Sequence, residues 1–427
     1  MKRARSIAAI VAAIALTVTA CGGEEAASSG ATDPNSVSGT VTWWDTSDAT
    51  NEAPAYGEIV ASFQAKYPKI KVNHVNVPFD GASDKFKTAA QSGNGAPDVM
   101  RTDVGWTPTF AKLGYLQPLD GTTAVSAPED YLPGAMETNK IDGKTYGVPA
   151  VTDTLALMYN KKLFEQAGIT EPPTTWEQVR TSAQQIEQKV PGTTGIFVHA
   201  DAYYLLPFVY GQSGDFVDEA AKKITIGTEQ VLAAVNTAKD LAADGTGATD
   251  PGSNGYTNMQ NGFKNGTTAM VLNGPWATRD YFSGSAFTDR ANLGVAPIPA
   301  GPSGKGGPVG GHNLTIYAGS QNLDASYLFV DFMTSAENQA KVAAKNNTMP
   351  TRASVYELPE IKANPVIAAF QQPQAEARPR PKAPGSGDLY DMLTPYYQQI
   401  MGGQVAAQDG LQQAQQKSDG YVPGFAS

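Results

Sequence analysis

The stretch Gly39-Thr-Val-Thr-Trp-Trp44, followed by Asp45-Thr-Ser-Asp48, begins a run to Met100 that decides the fold. Its first six residues are rich in β-formers and give way to polar ones, so they predict a strand. Tyr56, Val60, Phe63 and Tyr67 then recur at i, i+4, i+7 and i+11, which is one face of a helix, and Pro68 closes it. Ile70 to Val77 reads as a second strand and Asp84 to Ser92 as a second helix. Ala96-Pro-Asp-Val-Met100 enters a third strand. The order β-α-β-α-β predicts an α/β lobe with a largely parallel sheet.

Downstream, the same alternation continues. Tyr146-Gly-Val-Pro149 and Leu155-Ala-Leu-Met-Tyr159 predict two more strands. Thr174 and Glu177 form a capping box, ahead of a helix with Trp176, Val179, Ala183, Ile186 and Val190 on one face. A strand at 196–199, a helix at 228–243 and a strand at 268–272 follow. Asn273-Gly-Pro275 turns that strand into a helix beginning near Trp276. Further strands are expected at 295–298 and 314–317. Asp324 is the expected cap of a helix through Met333, and from about Ala353 the chain reads as helical, with a break at Arg378-Pro-Arg-Pro381. About 390 folded residues exceed one ordinary core, so a second α/β lobe is expected. The Gly/Asn/Pro-rich loops at 250–262 and 299–313 are long for plain connectors and are candidate binding loops.

Upstream, Lys2, Arg3 and Arg5 precede an apolar run from Ile7 to Val18 and then Thr19-Ala20-Cys21. This has the form of a secretory signal peptide over residues 1–20. The run of about 12 apolar residues is too short for a bilayer, which needs ~20. Val18-Thr-Ala-Cys21 resembles the bacterial lipobox, which implies that Cys21 is diacylated and becomes the new N-terminus. Residues 21–38 are small and polar and read as a flexible tether. The protein is therefore expected outside the cell membrane, lipid-anchored to its outer face. The formal net charge of −10 makes nucleic acid and anionic lipid poor partners, and loss of the cationic leader makes the chain more acidic still. One cysteine permits no disulfide framework. His74, His199 and His312 lie far apart without metal-ligand spacing, so neither a metal nor a cofactor is expected.

Several short segments, in order, carry a resemblance. They are Gly95-Ala-Pro-Asp-Val99, Gly114-Tyr-Leu-Gln-Pro-Leu119, Asp142-Gly-Lys-Thr-Tyr-Gly-Val-Pro149, Leu155-Ala-Leu-Met-Tyr-Asn-Lys161, Pro173-Thr-Thr-Trp176, Phe263-Lys-Asn-Gly266 and Asn273-Gly-Pro-Trp276. Each is weak alone. Together, behind a lipobox, they resemble the maltose/maltodextrin-binding proteins, within family 1 of the extracellular solute-binding proteins. Thr42-Trp-Trp-Asp45, Asp103-Val-Gly-Trp106 and Gly310-Gly-His-Asn313 are similar to the actinobacterial maltose-type lipoproteins. The resemblance implies a type II periplasmic-binding-protein fold: two α/β lobes, a multi-strand hinge and a ligand cleft between them. One lobe would take 37–151 and 298–347, the other 152–297 and 348–427. It also implies a monomer that closes over maltose, maltodextrin or, second, trehalose, and delivers it to two permease subunits of an ATP-driven importer.

A sugar asks for flat rings against its C–H faces, and for carboxylates, amides, Arg or His at its hydroxyls. By resemblance Trp276 stacks on a sugar ring; otherwise it is a core residue between helix and sheet. Tyr203 aligns with a stacking tyrosine, with Tyr204 the better core candidate, and Tyr390 matches a further stacking aromatic. Asp153 matches a hydroxyl-binding carboxylate or serves as a hinge partner. Asp103 and Trp106 sit in the loop after the third strand. His312 and Asn313 follow Gly307, Gly310 and Gly311, in a loop that matches one facing the cleft. Asp45 ends the first strand, at the carboxyl edge where α/β sheets bind ligands, or caps the next helix. Arg380 is placed to reach sugar hydroxyls from the second lobe, or is a solvated arginine. Two other classes share these residues: an Fe(III)-binding protein using Tyr203 and Tyr204, and a glycosidase using two of Asp45, Asp103 and Asp153.

Overall fold

The computed structural model describes residues 33–243 and 245–427. The signal segment, Cys21 and most of the tether lie outside the described residues. Val37, at the end of the expected tether, already packs against a hydrophobic core.

Ten strands form two five-stranded sheets. The first has the order Ile70–Asn76, Gly39–Asp45, Val99–Asp103, Val309–Ile316, Gly147–Thr154. Its first three strands are parallel, as helical crossovers require, and the last two run antiparallel to their neighbours. Trp43 and Trp44 point to opposite faces of this sheet, and both are buried. Trp43 packs edge-on to Tyr56 and Phe329, while Trp44 joins Phe86, Trp106 and Phe110.

The second sheet has the order Gly247–Ala248, Thr194–Phe197, Thr268–Asn273, Ala156–Asn160, Leu293–Ala296. It carries its own large core, with Trp176 stacked on Phe208 at 4.1 Å. The chain passes straight from one sheet to the other between Thr154 and Ala156, and returns between Ala296 and Val309. Backbone bridges Thr152–Met349 and Pro308–Arg378 tie later segments to these crossings. The two sheets are thus the centres of two lobes joined by several crossing segments.

Local details differ from expectation in physically clear ways. The helix Trp176–Lys189 is capped one residue later than expected: Thr175 accepts from the Gln178 amide at 3.2 Å, and Gln178 Oε1 accepts from the Thr174 amide. Asp324 lies in the first turn of Leu323–Met333 and caps nothing; Asn322 occupies the cap position. The loop expected at 250–262 is in large part the helix Gly255–Asn265, and 309–313 belongs to a strand. At Trp276 the chain makes a 3-10 turn, Pro275–Ala277, before the short helix Thr278–Tyr281. The helix Ala202–Gly211 had no periodic signature because nearly every one of its residues is apolar and buried.

Candidate ligand-binding site

The crossings bring one group of charges together. Asp153 stands opposite Gly310 in the strand pair Gly147–Thr154 and Val309–Ile316. A side chain at position 310 would run into Asp153 Oδ1 and the Tyr203 hydroxyl, so glycine there lets these two meet. Burial pushes the Asp153 carboxyl up to about 7; the Asp103 charge adds to this, and Arg380 and Arg101 oppose it. Asp103 Oδ1 accepts from the Gly105 amide at 2.7 Å and from Arg380 Nη2 at 2.8 Å. Arg380 Nε donates to the Val309 carbonyl at 2.9 Å, and its guanidinium lies over the rings of Tyr203 and Tyr390, 5.4 and 5.7 Å from their centroids. Burial disfavours its charge, but Asp103, Tyr390 and Tyr203 more than offset that and hold it protonated. Asp103, Asp153, Tyr203, Arg380 and Tyr390 therefore form one cluster that joins the two lobes.

The second lobe adds an aromatic wall. Trp276 is half-buried and its Nε1 donates to the Tyr256 hydroxyl at 3.1 Å. Gly274 is packed so closely under the indole that any side chain there would displace the ring. Tyr204 hydrogen-bonds Asn273 Oδ1 at 3.4 Å, and His199 lies 4.8 Å from the Tyr204 ring and 5.6 Å from that of Tyr256.

The first lobe adds Trp106, buried under Phe79, with ring centroids 4.9 Å apart and nearly parallel. Phe79 is 45% exposed and meets the His312 ring edge-on at 5.9 Å. His312 stands beside a register shift, where Ala150 of the facing strand is skipped between Val151 and Pro149. Among the described residues, neither ring nitrogen of His312 has a hydrogen-bond partner. Burial, together with Arg101 and Arg380, keeps the ring neutral by lowering its pKa well below the usual value.

Two expected site residues are placed elsewhere. Asp45 is fully buried, with Oδ2 paired to His74 Nε2 at 2.8 Å and Oδ1 accepting from the Ser47 amide. Asn313 is buried within the first lobe, where its amide bonds Asn139 at 2.9 Å and Thr107 at 3.2 Å. Strand alternation explains the difference: His312 and Asn313 are neighbours in sequence but face opposite sides of the strand. Tyr203 and Tyr204 likewise diverge, one hydroxyl beside Asp153 and the other on Asn273, so they do not form a paired iron-ligand arrangement.

Phe79, His199 and Tyr256 escaped sequence reasoning, as did the buried pair Glu52 and Arg101. The available signals were a phenylalanine in the polar link after Pro78 and an arginine directly after the apolar pair Val99-Met100 of the third strand. Arg380 also lines a cavity of about 490 Å³ with Asp215, Asp218, Glu219 and Lys382. No aromatic ring among the described residues lines that cavity.

Residues 47–340 match the family of bacterial extracellular solute-binding proteins, and the chain belongs to it. The crystal structure of the GacH receptor of Streptomyces glaucescens, described unliganded and with acarbose and an acarbose homolog, superposes with a TM-score of 0.87. It is 42% identical, covering 91% of this chain and all of that one. The maltotriose-binding protein of Pyrococcus abyssi is 26% identical, over 80% of this chain and 73% of its own length. A maltooligosaccharide ABC transporter solute-binding lipoprotein of Streptococcus pneumoniae is 27% identical, over 79% of each. The fold is thus the expected type II periplasmic-binding-protein fold, and these relatives are solute-binding proteins, not enzymes. Among the described residues no helix is long and apolar enough to cross a membrane.

Proposed function

We propose that the protein is the substrate-binding lipoprotein of an ATP-driven sugar importer, taking maltose or maltodextrin first and trehalose second. One observation carries this most directly. Aromatic faces on both lobes, Phe79 over Trp106 and Trp276 on Tyr256, accompany buried polar groups that lack partners among the described residues, above all both nitrogens of His312 beside Phe79. Rings beside unsatisfied donors and acceptors suit a ligand with apolar faces and a rim of hydroxyls.

The lobes would comprise 37–151 with 298–347, and 152–297 with 348–427. Sugar is held well only when both faces touch it, so binding shifts the population toward the closed form. Two permease subunits then receive the closed monomer. Acyl chains on Cys21 would keep it beside them, a reading supported by the lipoprotein among its relatives.

Calorimetric titration of the mature protein with maltose, maltotriose and trehalose tests the proposal. Saturable heat with maltotriose is expected, and absence of heat with every oligosaccharide overturns it.

A further inference from the structure

Two glycines meet where the lobes touch, and the backbone of neither calls for glycine. Gly387 is the cap residue of the helix Asp388–Met401, with φ −64° and ψ −32°, a right-handed conformation open to any residue. Ser, Asp or Asn would cap that helix at least as well. Gly105 follows the strand Val99–Asp103 and also lacks a positive φ. What both positions share is closeness. A Cβ at 387 would lie 2.4 Å from the Gly105 carbonyl oxygen and 2.9 Å from its carbon. A Cβ at 105 would lie 3.2 Å from Arg380 Nη1. The Gly105 carbonyl is backbone, so no side-chain rotation relieves that clash, and only glycine at 387 allows the approach.

The two glycines belong to different cores. Trp106 and Phe110, just after Gly105, pack with Trp44 and Phe86 beside the first sheet. Leu389, Met392 and Leu393, just after Gly387, pack into the core of the second. Three bonds cross from lobe to lobe around this contact. The Gly385 amide donates to Thr109 Oγ1 at 2.9 Å, Arg380 Nη2 to Asp103 Oδ1 at 2.8 Å, and Lys87 Nζ to Asp388 Oδ1 at 3.2 Å. A methyl at 387 would part the chains by about 1 Å, enough to undo a bond such as Gly385 to Thr109.

We propose that Gly105 and Gly387 form a seam that sets how far the cleft shuts. They are positioning residues: they touch no ligand, and without them the lobes stop short of the arrangement that brings Arg380 to Asp103. The inference goes beyond the sugar-binding reading and uses a sugar only as one of two readouts.

Crosslinking tests it without a ligand. In the mature protein carrying Cys21→Ser, Lys87→Cys and Asp388→Cys place one thiol on each lobe at the rim of the seam. A short bis-maleimide joins them only while the lobes are together. Adding Gly387→Ala should slow that crosslink about tenfold or more, and Thr109→Val should slow it less. Alanine suits the backbone at 387, so the melting temperature should hold or rise. Without the added thiols, Gly387→Ala should raise the dissociation rate of maltotriose about tenfold and leave its association rate, set by the open form, little changed. A folded Gly387→Ala protein that crosslinks and releases sugar like its parent overturns the inference, and so does a parent that never crosslinks. If Gly387→Ala melts far below its parent, Thr109→Val decides, and an unchanged crosslinking rate there overturns the inference. If alanine slows the crosslink but no sugar binds the parent, the seam stands and the sugar-binding reading falls.

Discussion

Trp276 and Asp153 show how single side chains divide the work of the proposed site. The indole of Trp276 is fixed by its bond to Tyr256 and by the close backbone at Gly274, so it offers a preset face to a ligand. Trp276→Ala should weaken maltotriose binding by ~1–3 kcal/mol, the scale of losing an aromatic anchor, with melting little changed. Calorimetry and a thermal melt check both halves. Asp153 has a pKa of about 7 in the folded protein, above the ordinary carboxylate value of 3.8, first through burial and then through Asp103. The native state therefore holds this proton more tightly than the unfolded chain, and stability falls as pH rises from about 4 through 7. Asp153→Asn, which cannot ionise, should raise the melting temperature over wild type more at pH 8 than at pH 4. An equal effect at both values would remove Asp153 as a source of that slope.

At the level of elements, the segment from Arg378 to Asp388 is a strap between the lobes. Arg380 bonds Asp103, Lys382 bonds Glu137, Asp388 bonds Lys87, and the Gly385 amide bonds Thr109. The Lys382–Glu137 pair is exposed on both sides and contributes little. The Arg380–Asp103 pair is buried, so Arg380→Met leaves a lone carboxylate and should cost about 3 kcal/mol, seen as a lower denaturation midpoint, and should weaken sugar binding as well. The sequence placed a break at 378–381 but read Arg380 as one of two things, because nothing local says that Asp103 waits 277 residues away. Helix caps teach the same lesson on a smaller scale. Thr174 and Thr175 are adjacent and both plausible caps; backbone geometry chose Thr175. Thr175→Ala should cost about 1 kcal/mol by chemical denaturation, and Thr174→Ala clearly less.

For the whole molecule, two sheets with separate cores centre the two lobes, and the chain crosses between them near 154–156 and 296–309. An acidic body gives no net positive charge to aid membrane attachment, so the proposed anchor rests on Cys21. Cys21→Ser should release the protein into the medium with its affinity for maltotriose intact. Fractionation of cells and titration of the released protein check this, and a fall in affinity would show that the thiol has another role.

The sequence by itself determined the alternation of strands and helices, the two-lobed α/β class and the family, because periodicity and turn residues report local geometry and burial. It also named Asp103, Asp153, Tyr203, Arg380 and Tyr390, which the fold gathers into one cluster. Only tertiary structure decided that Asp45 pairs with His74, that Asn313 turns inward onto Asn139 and Thr107, and that both ring nitrogens of His312 lie buried without a partner among the described residues. The physical reason is range. A residue's neighbours in the chain set its conformation, but whether a buried polar atom is satisfied depends on groups that only the closed fold brings within hydrogen-bond distance.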